Sequence, residues 1–368
     1  MPQMQSTGAE SLSARLHERL NTAIQQHGDW LPFDRFMAMA LYEPGLGYYA
    51  RGARQFGILP ASGSDFVTAP ELSPLFGRAL ARQVAQALDA AGADQIFEFG
   101  AGSGALAEQL LGALGDSVKR YSIIDLSGTL RERQATRLAA FAGRVRWLDA
   151  WPDEFCGVVL GNEVLDAMPV QLLHFDGQQW FERGVTSQTD TFVWADRATT
   201  LRPPGDTAFL PGTVSEIHPQ AEAFISTLAE RLQRGAAFFI DYGFPEAEYY
   251  HPQRSGGTLR CHQAHRADSN PLVEVGAKDI TAHVNFSGIA LAAQDAGLDV
   301  IGYTTQAHFL MNCGLLDLLQ GADVRTVANA QKLLTEHEMG ELFKVIAFAR
   351  GIKLDPLGFT VGDRSHTL

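Results

Sequence analysis

From residue 95 onward, short apolar runs alternate with helical patterns, and that alternation is the signature of parallel βαβ units. It predicts strands over 95–99, 120–125, 145–148, 157–161, 236–241, 298–304 and 342–348, with helices notably over 104–114, 128–141, 217–233 and 288–296. Apolar residues at 46% can build the large core this requires, and charged residues at 19% are too few for a disordered chain. A length of 368 residues accommodates two average domains or one decorated α/β domain. The division expected is a helical N-terminal region over 1–92 and a sheet domain over 93–368, interrupted at about 170–210 and 243–286.

Both interruptions have their own character. Residues 170–210 read as a short β-meander, with Asp176-Gly177 as the turn between Leu172–Phe175 and Gln179–Phe181. Its aromatic residues Phe175, Trp180, Phe181, Phe192 and Trp194 suit a local core better than a binding platform. Residues 243–286 are irregular, rich in Gly, His and Arg, and too long to be an idle connection. In the N-terminal region, residues 1–10 are polar and unpatterned and are expected to lack structure. Leu12, Leu16, Leu20 and Ile24 then mark one face of a helix ending near Gly28. A second helix over 33–41 stops at Pro44-Gly45, and Ser73-Pro74 opens a third in the order cap, then proline.

The segment Gln95-Ile-Phe-Glu-Phe-Gly-Ala-Gly-Ser-Gly-Ala-Leu106 runs a strand directly into a glycine-rich turn and a helix. Glycines belong there because the chain turns sharply and lies against a ligand, leaving no room for a Cβ. The pattern alone is ambiguous. Ending on Ala105 it satisfies the dinucleotide fingerprint, ending on Gly104 it satisfies the G-x-G-x-G of S-adenosylmethionine (SAM) methyltransferases, and a tight turn without a ligand is a third reading. Three acids at consecutive strand ends favour SAM. Glu98 suits the ammonium of a methionine moiety and would repel a pyrophosphate. Asp125, 21 residues after Gly104, is placed to accept from both ribose hydroxyls. Asp149 can accept from the adenine amine, although an ordinary exposed strand-end residue would look the same. The fourth strand ends in Gly161-Asn-Glu-Val-Leu-Asp-Ala-Met-Pro169, so Asn162 and Glu163 should face the ligand crevice, whether or not Asn162 also caps a helix.

Acids outnumber bases 42 to 29, which argues against a protein that coats nucleic acid or anionic lipid. No run approaches the roughly 18 apolar residues of a membrane span, so no membrane insertion is expected. Cys156, Cys261 and Cys313 are too scattered for a disulfide framework and fit a reducing compartment. The N-terminus lacks a signal-peptide layout, and Glu10 and Glu18 are foreign to a transit peptide. A cytoplasmic protein is expected.

Taken together the motifs resemble one family, the MidA-like SAM-dependent methyltransferases, related to the mitochondrial complex I assembly factor that methylates a protein arginine. The resemblance rests on Tyr42-Glu-Pro-Gly-Leu-Gly-Tyr-Tyr49, on Gly63 to Gly77, and on Glu98 to Gly104. It continues through Asn162-Glu-Val-Leu-Asp-Ala-Met-Pro169, Asp241-Tyr-Gly243, Gly257-Thr-Leu259 and Asp279-Ile-Thr-Ala-His-Val-Asn-Phe286. It implies an α/β class I methyltransferase fold: a Rossmann-like seven-stranded sheet whose last strand is antiparallel, with a helical N-terminal region and inserted substrate-side segments. It further implies methyl transfer from SAM, leaving S-adenosylhomocysteine, to an arginine of a protein substrate of respiratory complex I type. No metal and no nucleic acid are implied, and a homodimer is left open.

The cofactor contacts then expected are Thr68, Pro70, Glu98, Gly100, Gly102, Ser103, Gly104, Asp125, Leu126, Asp149, Asn162 and Glu163, with the stretch from Asp65 to Glu71 closing over the cofactor. A guanidinium keeps its charge and presents five donors, so carboxylates must hold and orient it. Glu163, Asp166 and Glu71 are the candidates, and His283 is either a proton acceptor or a structural histidine. Val164-Leu165 and Met168 depart from the family's aromatic and leucine, a change expected to tune packing beside the acceptor. Lysine supplies five of the 29 basic residues, the composition of a GC-rich bacterial source, so the mitochondrial partner is not simply carried over.

Weaker signals remain. Cys261-His262-Gln-Ala-His265 has a metal-site look but no second pair at finger-like spacing. Arg254, Arg260 and Arg266 make the second insertion locally basic within an acidic chain, suited to an acidic patch on a partner. Two rival functions stay in view: a SAM-binding assembly factor that grips a partner with little catalysis, and an NAD-dependent oxidoreductase through the Ala105 match.

Overall fold

The structure is a computed structural model and describes residues 6–51, 68–125, 128–205, 207–263 and 266–368. Seven strands form the body of the central sheet: β1 (Gln95–Phe99), β2 (Arg120–Ile124), β3 (Val145–Leu148), β4 (Phe155–Asn162), β5 (Leu232–Phe244), β6 (Asp299–Thr305) and β7 (Phe343–Arg350), and the two-residue strand Val284–Asn285 pairs in parallel with the end of β5. Each of the seven overlaps a run predicted from the sequence. Their order is β6-β7-β5-β4-β1-β2-β3. Neighbours from β3 to β5 pair in parallel, whereas β7 runs antiparallel to both β5 and β6. This is the class I arrangement with the last strand reversed.

The strands read as unbroken apolar runs because both faces of the sheet are covered. Along β5, Ala236, Phe238 and Ile240 join one core with the helices Pro74–Ala91 and Ala105–Leu114. The alternate residues Ala237 and Phe239 join another with Pro219–Arg231 and Phe286–Asp295. The helix Pro74–Ala91 starts as its sequence foretold: the Ser73 hydroxyl accepts from Leu75 N–H at 3.3 Å, Pro74 follows, and Gly92 ends the helix at φ 57°. Between β6 and β7 lie three helices, Gln306–Asn312, Leu315–Leu318 and Val324–Leu334, which the sequence pattern did not delimit.

A third core is separate from the sheet. Leu16, Leu20 and Ile24 of the first helix and Phe33, Phe36 and Met37 of the second pack with Leu172, Val185 and Phe192 of the meander and with Leu259, Cys261 and Ile280 of the second insertion. Segments far apart in sequence thus share one apolar centre. The first helix spans Ser6–Gln26, so it begins inside the stretch 1–10 expected to lack structure. The meander strands Gln171–Phe175, Trp180–Gln188, Thr191–Ala198 and Val214–Ile217 form an antiparallel sheet with Leu31–Pro32 at its edge. Its aromatics make core contacts, Phe192 against Phe36 and Trp194 against Phe33, each at 5.3 Å between ring centres. The second insertion carries a small sheet of Arg260–Gln263, Arg266–Asp268 and Asp279–Thr281. Among the described residues, no helix is long and apolar enough to cross a membrane.

Candidate active site

The site is built on the carboxyl ends of β1, β2, β4 and β5. Beyond β1 the three glycines take φ of 60° at Gly100, 54° at Gly102 and 84° at Gly104, a conformation L side chains rarely adopt. A Cβ on Gly100 would also lie 3.0 Å from Val164 Cγ2. The buried side chain of Gln134 fixes this loop. Trp147 Nε1 can only donate, so it selects the Gln134 carbonyl oxygen (2.8 Å), which turns the amide nitrogen toward Gly102 O and Asp125 Oδ2, both at 2.9 Å. One glutamine thereby ties the glycine turn to the acid at the end of β2. Glu98 is buried and accepts from Tyr121 O–H at 2.7 Å; burial pushes its carboxyl up to about 8, against the pull of that hydrogen bond. Asp149 sits at the rim, 90% exposed, with Arg131 Nη2 at 2.7 Å.

The second half of the site is the turn after β4. Glu163 holds φ 55°, and its N–H donates to Ile240 O at 2.9 Å. A strained backbone of this kind persists only when its surroundings over-determine it. Asp241, at the end of β5, does so. Its Oδ2 accepts from the N–H groups of Val164 (3.1 Å), Leu165 (2.9 Å) and Asp166 (3.3 Å), while its Oδ1 accepts from Tyr242 N–H (2.9 Å). Three carboxyls are crowded here. Burial, then the neighbouring charge of Asp166, pushes Glu163 up to about 8, although Asn162 Nδ2 (3.0 Å) and Ala69 N–H donate to it. Burial lifts Asp166 to about 6 against the hydrogen bond from Tyr242 O–H. Asp241 is raised by burial and by the charges of the other two, and its backbone donors oppose the rise. Three full negative charges do not coexist in so small a volume without a cation.

These two halves line one cavity of about 730 Å³. Its wall is completed by Tyr42 and Tyr49, from the N-terminal tyrosine-rich loop, and by Tyr242, Phe343 and His283. The two N-terminal tyrosines stack at 5.5 Å and 17° and are held from behind, Tyr42 O–H on Ala167 O (2.8 Å) and Tyr49 O–H on Asp279 Oδ1 (2.9 Å). His283 lies edge-on to Tyr242. Burial, then the charges of Arg254, Arg260 and Lys344, hold its imidazole down to about 4, so it is neutral at pH 7. Four residues of this wall keep a buried polar atom with no hydrogen-bond partner among the described residues: Asn162 Oδ1, Asp166 Oδ1, Thr281 Oγ1 and His283 Nδ1. Groups of that kind are rare in folded proteins and each costs about 1–3 kcal/mol.

Of the residues expected at the site, the cavity is lined by Thr68, Pro70, Glu98, Gly100, Gly102, Ser103, Asp125, Asp149, Asn162, Glu163, Asp166 and His283. Gly104 stands behind the wall as the cap of the helix Ala105–Leu114. Leu126 and residues 65–67 lie outside the described residues. Glu71 is brought to the glycine loop and not to the acid cluster: it accepts from the Ser103 hydroxyl and pairs with Arg137 Nη1 at 2.7 Å. Sequence reasoning did not assign Tyr42, Tyr49, Gln134, Asp241, Tyr242 or Asp279 to the site. The tyrosine-rich loop and the Asp241-Tyr-Gly243 motif were the signals available for four of them; Gln134 had none beyond its place in a helix. In the Cys261-His262 segment, burial pushes the Cys261 thiol up to about 12, which leaves it a core residue; His265 lies outside the described residues.

Sheet order, glycine turn and strand-end acids together define a class I SAM-dependent methyltransferase. Residues 79–304, more than half the chain, match the family described as "Putative S-adenosyl-L-methionine-dependent methyltransferase", and the chain belongs to that family. It is similar, at 50% identity over 98% of both chains and a TM-score of 0.93, to a crystal structure from Burkholderia thailandensis described as a "likely methyl transferase" bound to S-adenosyl-homocysteine. It is also similar to the mitochondrial protein arginine methyltransferase NDUFAF7 homolog of Drosophila melanogaster, 27% identical over 94% of this chain and 87% of that one. The Homo sapiens protein arginine methyltransferase NDUFAF7 is 28% identical over 85% and 78% respectively.

Proposed function

We propose that this protein methylates an arginine side chain of a protein substrate. The observation that carries the reading is the acceptor wall: stacked Tyr42 and Tyr49 beside Glu163 and Asp166, with buried polar atoms of Asn162, Asp166, Thr281 and His283 that have no hydrogen-bond partner among the described residues. A guanidinium is planar, stacks on aromatic rings, and brings five N–H donors, more than an ammonium or a hydroxyl. The relatives named as protein arginine methyltransferases support the same choice.

When bound, SAM supplies a methyl group on a positively charged sulfur. The pocket has what that group needs: a turn open to close backbone approach, Glu98 for an ammonium, Asp125 for a ribose diol and Asp149 at the rim for an adenine amine, with Thr68 and Pro70 covering it. Glu163 and Asp166 hold the guanidinium and aim one nitrogen. Bringing a cation between them favours their charged forms, which burial disfavours. Transfer would exchange the sulfur–methyl bond for an N–C bond and leave a neutral thioether, so the accepting nitrogen must shed a proton, and the neutral His283 imidazole of the same wall is available to take it. Glu71 serves differently, tying the segment Ala69–Leu72 to the glycine turn through Ser103 and Arg137.

The test is transfer of tritiated methyl from SAM into a lysate of a strain lacking this protein, with mass spectrometry of the labelled residue. Label on lysine, nucleic acid or a small molecule would overturn the arginine assignment and leave the methyltransferase class intact. One observation favours a second reading, a partner-gripping assembly factor: the core shared by the N-terminal helices, meander and second insertion makes a body beyond what chemistry requires. Loss of biological function on Gly102→Arg but not on Asp166→Asn would select it.

A further inference from the structure

The doorway of the cavity carries positive charge that the chemistry inside does not use. We propose that Arg260, with Arg254 behind it, forms a docking rim for a carboxylate flanking the target arginine, so that the substrate is an arginine-bearing segment with acidic neighbours; this rests on the arginine reading above.

Arg260 and His262 both line the cavity from the strand Arg260–Gln263, whose backbone pairs Arg260 with Thr281 and His262 with Asp279. Their positions are therefore set by a sheet and not by a loose loop. Arg260 is exposed, and its Nη1 donates to Leu259 O at 2.9 Å. Arg254 lies 3.8 Å over the Phe244 ring, which also contacts the His283 imidazole at 5.1 Å, and its Nε donates to Glu248 O. Among the described residues neither guanidinium has a carboxylate within ion-pair distance. Arg260 is in the cavity wall and Arg254 stands behind it across Phe244, and the charges of both help to hold down the His283 imidazole inside.

This is unusual in a chain of net charge −13. The acids inside attract a target arginine, yet the same residue must pass two cations at the door. A carboxylate two or three positions away removes that repulsion and makes charge-assisted hydrogen bonds to the rim. Exposed pairs of this kind contribute modestly and weaken with salt, so the effect should appear as selectivity among arginine substrates.

The experiment measures binding of fluorescein-labelled nonapeptides to the full chain with S-adenosylhomocysteine present. Each peptide has one central arginine flanked by two glutamates, two serines or two lysines. The expected order is Glu over Ser over Lys, about three- to tenfold per step at 50 mM salt and shrinking at 0.5 M. Arg260→Glu should reverse the order, and Arg266→Glu, a basic residue of the same insertion outside the cavity wall, should leave it unchanged. Flank-independent binding of arginine peptides, or an order untouched by Arg260→Glu, overturns the rim and leaves the arginine reading standing. Equal binding when the central arginine is replaced by alanine overturns the arginine reading instead. A tenfold loss of S-adenosylhomocysteine affinity in Arg260→Glu would give this arginine to the cofactor's carboxylate and overturn the rim.

Discussion

Glu98→Gln should make the ligand-free protein more stable and a worse cofactor binder. Glu98 is 2% exposed, and burial lifts its carboxyl from 4.5 to about 8 while the Tyr121 hydroxyl donates to it. In the unfolded chain it titrates near 4.5. Below that pH it is neutral in both states and costs nothing. As pH rises toward 8 the unfolded chain gives up its proton and the folded chain does not, so stability falls across that window. One pKa unit corresponds to about 1.4 kcal/mol, which puts the loss at pH 8 at up to about 4 kcal/mol, and about 2–4 after some water entry. Glutamine cannot titrate, keeps the shape and still accepts from Tyr121. We therefore expect equal melting temperatures at pH 4.5 and a variant about 3–5 °C higher at pH 8, given roughly 0.8 kcal/mol/K of unfolding entropy for a chain this long. Cofactor binding should move oppositely. Pairing with an ammonium requires the ionised carboxylate, so wild-type SAM affinity should rise from pH 6 to 8 with proton release, visible by calorimetry in buffers of different ionisation heat. The variant should bind more weakly and without that pH dependence. Parallel melting curves for the two proteins from pH 4.5 to 8 would refute the burial argument, and unchanged SAM affinity would refute the ammonium assignment.

Asp125→Ala should weaken S-adenosylhomocysteine binding by about 1–3 kcal/mol, the cost of stranding buried hydrogen-bond partners. Gln134→Met should reproduce part of that loss but add little to Asp125→Ala, because the glutamine acts on Asp125; full additivity in a double-mutant cycle would separate the two. Glu163→Gln should keep most SAM affinity and cut methyl transfer by about a hundredfold, the scale of one preorganised electrostatic contact, and full activity would move the role to Asp166. Gly257→Ala should destabilise by about 1–3 kcal/mol by thermal melting, since φ is 69° and the added Cβ would fall 2.4 Å from the buried Glu216 Oε1. A neutral result would mean the carboxylate can move.

What the sequence determined by itself is local. Apolar runs placed all seven strands of the body of the sheet, because strands covered on both faces are mostly apolar and stand out from the helical patterns between them. The glycine turn was legible because positive φ at Gly100, Gly102 and Gly104 restricts residue choice more than any other local demand. Glu98, Asp125 and Asn162 followed from being next to strand ends, where chain direction alone fixes which side of the sheet they serve. The tertiary structure decided everything that depends on who meets whom. Asp241 reaches back 75 residues to Asp166 N–H, and Tyr49 crosses 230 residues to Asp279. Glu71 was a plausible acceptor group by charge, but only packing could show that Arg137 and Ser103 claim it. The helical Gln134 likewise has its amide oriented by Trp147, which the sheet brings to it on β3. Periodicity reports which face a residue presents, whereas partners come from loop closures whose outcome is fixed by the whole core, and so the acceptor wall, built from segments far apart in the chain, had no local signature.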